Sequence, residues 1–235
     1  MIMRTVPLFL PALAWLAMAV TCSVPSLAEE RLHRVDVSKK PWSAVGRIHN
    51  STGGHCTGVL IAPSLAVTAA HCLYSARAGA MVSARSVHFL LGYERGSYEH
   101  HTVARAYQVA DGFNPSRPVE TPSSDWALIE LEDPAPKRFP PIAVSEAIPS
   151  ESSFVSAGYG IQRRYWLTST DSCVVRQETD SGMIIGSCPT VSGFSGGPLI
   201  NDDSELIGIQ TGNGRQNGKA VLLGVSSKNF ADHMK

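Results

Sequence analysis

The sequence predicts an all-β fold built as two β units, and three observations lead to it. The apolar segments are short and are broken repeatedly by Gly, Pro, Asn and Ser, as at 43–48, 57–61, 87–91, 127–131, 206–210 and 220–225. No ten-residue stretch in the middle of the chain keeps a helical period. Between these runs, Asp133-Pro134-Ala135-Pro136-Lys137-Arg138-Phe139-Pro140-Pro141 cannot donate a regular ladder of backbone hydrogen bonds, so it reads as a connector near the middle of the chain.

Taken in order, the chain opens with Arg4 and an apolar run from Val6 to Val20, interrupted by Pro7 and Pro11. Small residues at Ser26 and Ala28 precede Glu29-Glu30, so residues 1–28 read as a secretory signal peptide cut after Ala28. The run is too short for a comfortable membrane span, and no later stretch is long and apolar enough for one. The mature chain, 29–235, is therefore expected to be secreted or periplasmic, without stable membrane association. Within it the first β unit spans about 42–132, the connector 133–141 and the second unit 142–225, and Ser226-Ser227 could cap a short helix running through Phe230 to Met234.

Lys+Arg and Asp+Glu balance at 20 each and no block of like charge appears, so the basic footprint of a nucleic-acid binder is missing. Cys22 leaves with the leader, and Cys56, Cys72, Cys173 and Cys188 remain, an even number suited to an oxidising compartment. Four cysteines permit three pairings. The spacing gives two local couples, Cys56–Cys72 and Cys173–Cys188, each worth roughly 3 kcal/mol on the chain-entropy model. There is no CxxC pair, so no metal site is expected. His55, His100 and His101 fall in turn-like stretches and read as surface histidines.

Three segments carry chemistry. Val67-Thr68-Ala69-Ala70-His71-Cys72 puts an imidazole at a strand end, and imidazole is the side chain best able to accept a proton near neutral pH and return it. In Ser123-Ser124-Asp125-Trp126-Ala127-Leu128 a carboxylate directly precedes an apolar strand, where partial burial would demand a partner such as a histidine Nδ1–H. In Gly193-Phe194-Ser195-Gly196-Gly197-Pro198 the glycines admit backbone angles barred to other residues and present the serine on a tight turn. The amides of Gly193 and Ser195 could then stabilise an oxyanion, at about 3 kcal/mol per donor. Each segment alone is compatible with a purely structural role.

Together, and in this order, the three resemble the chymotrypsin/trypsin-like serine protease family, which carries TAAHC, D-x-A-L and G-x-S-G-G-P. The resemblance runs from Trp42 to about Phe230 and is nearest to the compact bacterial, V8-like members, which also place a cysteine upstream of the serine as Cys188 is placed here. It implies two perpendicular six-stranded antiparallel barrels, a catalytic triad of His71, Asp125 and Ser195 in the cleft between them, an oxyanion hole from Gly193 and Ser195, polypeptide substrates, no cofactor and a monomer. The implied activity is peptide-bond hydrolysis through an acyl-enzyme; the alternative is a secreted binding protein of the same fold that has lost catalysis. An α/β-hydrolase would share G-x-S-x-G but needs an acid and a histidine after the serine, and the one later histidine is His233, the third residue from the end.

Departures from the family bear on specificity and activation. Pro189 stands where trypsin-type enzymes carry the Asp that binds a basic side chain. Thr190 matches the hydroxyl residue of Glu-cutting V8-like enzymes, but Gln210 stands where they carry a histidine. An uncharged polar specificity pocket follows, formed by Pro189, Thr190, Gln210 and Thr211, with Thr211 adding a hydroxyl bond to Asp125. Phe194 replaces the acidic residue that pairs with a new N-terminus in many members, so that activation switch is absent. The segment 212–218, Gly-Asn-Gly-Arg-Gln-Asn-Gly, reads as a flexible turn bordering the cleft.

Overall fold

The computed structural model describes residues 32–116, 120–188 and 192–234. The expected leader at 1–28, with Cys22, lies outside them, as do Pro189 and Thr190. In chain order the strands of the first half are β1 (Leu32–Arg34), β2 (Val45–Asn50), β3 (His55–Ala62), β4 (Leu65–Thr68), β5 (Tyr74–Ser75), β6 (Ala80–Met81), β7 (Val87–Leu91), β8 (His100–Val109) and β9 (Ala127–Leu131). Those of the second half are β10 (Ser153–Gly158), β11 (Thr168–Thr170), β12 (Cys173–Glu178), β13 (Met183–Ser187), β14 (Pro198–Asn201), β15 (Leu206–Gln216) and β16 (Lys219–Ser226), followed by the helix α1 (Lys228–Ala231).

These strands make two six-stranded antiparallel barrels. The first closes in the order β2-β3-β4-β9-β8-β7. The second runs β10-β12-β13-β16-β15-β14 and closes through the β10–β14 pairing. β11 continues outward from β10, and β1 pairs with β11, so the residues ahead of the first barrel are a strand of the second.

Strand period accounts for the interior. In β7, Val87, Phe89 and Leu91 are buried while His88 and Leu90 alternate outward. Phe89, Ile48, Leu60 and Ile129 fill the first barrel, and Phe154, Val175, Ile184, Leu199 and Leu222 the second. Each such side chain contributes about 1.5–3 kcal/mol relative to exposure. Disulfides join Cys56 to Cys72 and Cys173 to Cys188. The Pro-rich connector lies along the first barrel, where Ala135 N–H bonds Pro63 O at 2.7 Å and Phe139 is buried. No helix among the described residues is long and apolar enough to cross a membrane.

Three local expectations are corrected. The segment 212–218 is mostly ladder: β15 runs to Gln216, pairs with β16, and only Asn217 (φ 50) and Gly218 (φ 76) turn. That is the Asn-Gly turn whose twist suits a two-residue hairpin, and the ladder overrides the local turn preference of the preceding glycines. His100 and His101 open β8 instead of lying in a turn, and His55 opens β3. Ser227 does start α1, but its hydroxyl makes no cap there; it donates to Ser145 O.

Candidate active site

Three segments meet at the seam between the barrels, each placed by its own device. After β4 the chain enters the 3-10 turn Ala70–Leu73, which carries His71. The Cys56–Cys72 disulfide ties that turn to β3, and Asn50 Nδ2 donates to Cys72 O at 3.2 Å.

Asp125 follows the 3-10 turn Pro122–Ser124 and is only 4% exposed. A carboxylate so buried requires hydrogen-bond partners. Both of its oxygens face His71: Oδ1 accepts the backbone N–H at 2.9 Å, and Oδ2 lies 2.6 Å from Nδ1. An ionised carboxylate only accepts, so Nδ1 carries the proton and Nε2 keeps its lone pair. Asn229 of α1 steadies the Asp125 turn from the other barrel, its Nδ2 donating to Ser123 O and Ser181 O at 2.9 Å each.

Ser195 sits on the turn before β14. Two glycines make that turn possible. Gly193 has φ +99 and a Cβ there would lie 2.6 Å from Tyr159 O; Gly196 has φ +77 and a Cβ would lie 2.2 Å from Thr57 O. Gly196 N–H donates to Gln210 O and Gly197 N–H to Phe194 O, both at 2.7 Å, and Phe194 is fully buried.

Thr57 of β3, which sequence reasoning did not single out, holds this turn from the first barrel. Its N–H donates to Ser195 O at 2.9 Å. Its Oγ1 donates to Gly193 O at 3.1 Å and accepts from Tyr159 N–H at 3.0 Å. One signal could have found it: the lone hydroxyl of β3, between Cys56 and Gly58 and ahead of the apolar run Val59–Ala62, which once buried is obliged to find partners. Tyr159 is buried too, so its hydroxyl is held well above the ordinary tyrosine pKa, and it donates to Tyr93 O at 3.2 Å.

The structure thus joins His71 to Asp125 directly. Ser195 is tied to the neighbouring residues by its backbone carbonyl, which accepts from Thr57 N–H and lies 3.8 Å from Cys72 Sγ, and among the described residues no hydrogen bond joins its hydroxyl to His71. Beside the pair opens a cleft of about 430 Å³ with His71, Pro122 and Asp125 on one wall and Met183, Thr211 and Leu223 on the other.

Thr211 therefore lines the cleft, but its hydroxyl bonds Leu223 O at 3.5 Å and not Asp125. The cause is the shift in β15–β16 register between Gln210 and Gly212, which leaves Thr211 as the extra residue of a bulge. Gln210 is 3% exposed, and its Oε1 accepts the Ser156 hydroxyl at 2.8 Å. His55 and His100 are half-buried instead of superficial, and burial, ahead of the charges of Arg47 and Arg138 respectively, holds both below the ordinary histidine pKa. Donor atoms of Cys56, His71 and Cys72 cluster within 4.8 Å, yet both sulfurs are in the disulfide and His71 Nδ1 faces Asp125, so the group does not suit a metal.

The family model described as Trypsin matches residues 32–232, almost the whole described chain. The chain belongs to the trypsin family, and is a serine endopeptidase by that membership. It is 26% identical over 194 residues to a trypsin of Simulium vittatum, covering 71% of this chain and 72% of that protein. Among solved structures it resembles a Glu endopeptidase in complex with MPD, with a TM-score of 0.73 and 18% identity over 87% of this chain and 96% of that one. The VesB protease of Vibrio cholerae superposes with a TM-score of 0.67 and 18% identity, over 87% and 66% of the two chains. A scabies mite inactivated protease paralogue gives 0.69 and 14%, over 86% and 93%. At these identities the solved structures establish the fold shared with other trypsin-family members.

Proposed function

We propose that the protein is an exported endopeptidase in which Ser195 is the nucleophile, His71 the general base and acid, and Asp125 the group that orients His71. Ser195 Oγ attacks the scissile carbonyl as His71 Nε2 takes its proton. The amides of Gly193 and Ser195 stabilise the resulting oxyanion. His71 then returns the proton to the leaving amine, and water, activated by the same imidazole, releases the acid from the acyl-enzyme. The observation that carries this reading is the buried carboxylate of Asp125 gripping His71 at both backbone and ring. The rival, a non-catalytic binding protein, shares the fold, but a charge buried beside a solvent cleft and spent on one imidazole favours the enzyme.

Specificity follows from uncharged groups. Pro189, Thr190 and Thr211 are uncharged, and Gln210, grouped with them from the sequence, is buried with its amide on Ser156, so these residues offer no charge to a desolvated Lys, Arg or Glu, and uncharged polar or small P1 residues are expected. Mass-spectrometric profiling of a peptide library tests both levels: endoproteolytic cuts establish the activity, and a dominant preference for Arg, Lys or Glu at P1 would overturn the pocket assignment.

Activation needs no new N-terminus in this reading. Phe194 is buried against Gly158, whose added Cβ would lie 2.7 Å from Phe194 Cα, so packing orders the oxyanion turn. The preceding residues are tied down as β1: Val35 N–H bonds Leu167 O at 3.2 Å, Arg34 pairs with Glu94, and its guanidinium stacks 3.7 Å over Trp166. A chain beginning at Val35 is expected to show kcat/KM no higher than one beginning at Glu29. A gain of orders of magnitude would mean that release of this strand is the switch. Export, a monomeric state and a secreted or periplasmic location complete the proposal, and the two disulfides favour an extracytoplasmic site.

A further inference from the structure

We infer that the outer face of the first barrel carries a surface site for a divalent transition metal, formed by His88 and His101 and completed by His49. The site is separate from the peptidase reading and does not depend on it.

Strand register assembles the three from distant parts of the sequence. β2 places His49 directly opposite His88 of β7, and β8 places Val103 opposite His88, with His101 two residues along on the same face. The residues flanking His88, Val87 and Phe89, point into the barrel, so His88 points out. His88 Nδ1 and His101 Nε2 are 2.8 Å apart with ring centres separated by 5.1 Å, and the ring of His49 is centred 6.3 Å from that of His88. His49 and His101 are exposed and His88 half-buried, which leaves the nitrogens open to an ion from solvent.

Two imidazole nitrogens this close hold either one proton or one metal ion between them. A metal roughly 2.1 Å from each nitrogen would see them at close to a right angle. That is the cis angle of tetragonal and octahedral sites and is tighter than the tetrahedral angle zinc favours. The geometry therefore selects Cu²⁺ first, by the usual order of stability, and Ni²⁺ over Zn²⁺. His49 stands directly opposite His88 with its ring centred 6.3 Å away, so it is placed to act as the third, weaker donor. Waters would occupy the remaining positions.

The test is calorimetric titration of the chelator-stripped protein with CuSO₄, NiCl₂ or ZnCl₂ alone, with electron paramagnetic resonance of the Cu²⁺ form. One Cu²⁺ per chain with affinity on the order of micromolar is expected. The spectrum should be tetragonal with nitrogen hyperfine splitting, and Ni²⁺ should bind more tightly than Zn²⁺. His88→Asn and His101→Asn should each weaken Cu²⁺ binding by more than about tenfold, and His49→Asn by less. His233→Asn should leave it unchanged. Absence of saturable binding below about 1 mM, or binding untouched by His88→Asn and His101→Asn, overturns the site. Should either variant fail to fold, carbethoxylation of the unaltered protein decides: Cu²⁺ must protect His88 and His101 selectively, and equal modification with and without the ion contradicts the proposal.

Discussion

Replacing Asp125 with Asn is expected to lower kcat about 10,000-fold while leaving the folded structure in place. Asn keeps the size of the side chain but brings an N–H₂ that must donate. Oriented to accept from the His71 backbone N–H, it turns its donor toward Nδ1, which then becomes the acceptor and moves the imidazole proton to Nε2. The base is lost although every atom remains near its place. The 4% exposure of Asp125 makes the effect severe, because little solvent competes at the buried side chain for its contact with Nδ1. Steady-state kinetics on the best library peptide, with a melting curve as the folding control, measures it. A loss smaller than about tenfold would mean that the 2.6 Å contact with Nδ1 does not set the state of the base.

Removing the first disulfide is the second large effect. Cys56→Ser with Cys72→Ser opens a loop of sequence separation 16, which on the chain-entropy account destabilises the fold by about 3 kcal/mol. For a domain of this size that lowers Tm by roughly 6–12 °C. Opening Cys173–Cys188, separation 15, should have a similar effect on Tm. The two variants should part in activity. Cys72 adjoins His71 and its sulfur lies against Ser195 O, so the first double variant should lose kcat even at temperatures where it is fully folded, and the second should lose less. Equal activity losses per folded molecule would show that the disulfide does not position His71.

Much of this was legible in local sequence because its determinants are local. The strands at 87–91 and 127–131 fall where short apolar runs and their polar breaks put them, and the glycines around Ser195 are required by φ values of +99 and +77 that a short window already suggests. The misreadings share a cause. Gly212, Asn213 and Gly214 look like turn residues by themselves, yet their pairing with β16 is decided by a long antiparallel ladder. Thr211 was assigned a bond to Asp125 on position alone, and a one-residue bulge turned its hydroxyl to Leu223 O. His101, like His55 and His100, lies in a stretch that looks turn-like by local composition, whereas the barrel sets it in a strand against His88. Thr57 escaped notice because its partners, Tyr159, Gly193 and Ser195, lie more than a hundred residues away in the other barrel.

The account stands most directly on Ser195 as a nucleophile driven by His71. Incubating the mature protein with a biotinylated fluorophosphonate, followed by intact mass and peptide mapping, should give one adduct per chain on Ser195 Oγ. Labelling should vanish in Ser195→Ala and fall steeply in His71→Ala, both still folded by circular dichroism. Folded protein that takes up no probe, or equal labelling of Ser195→Ala, would contradict the account and point instead to a binding protein on a protease fold.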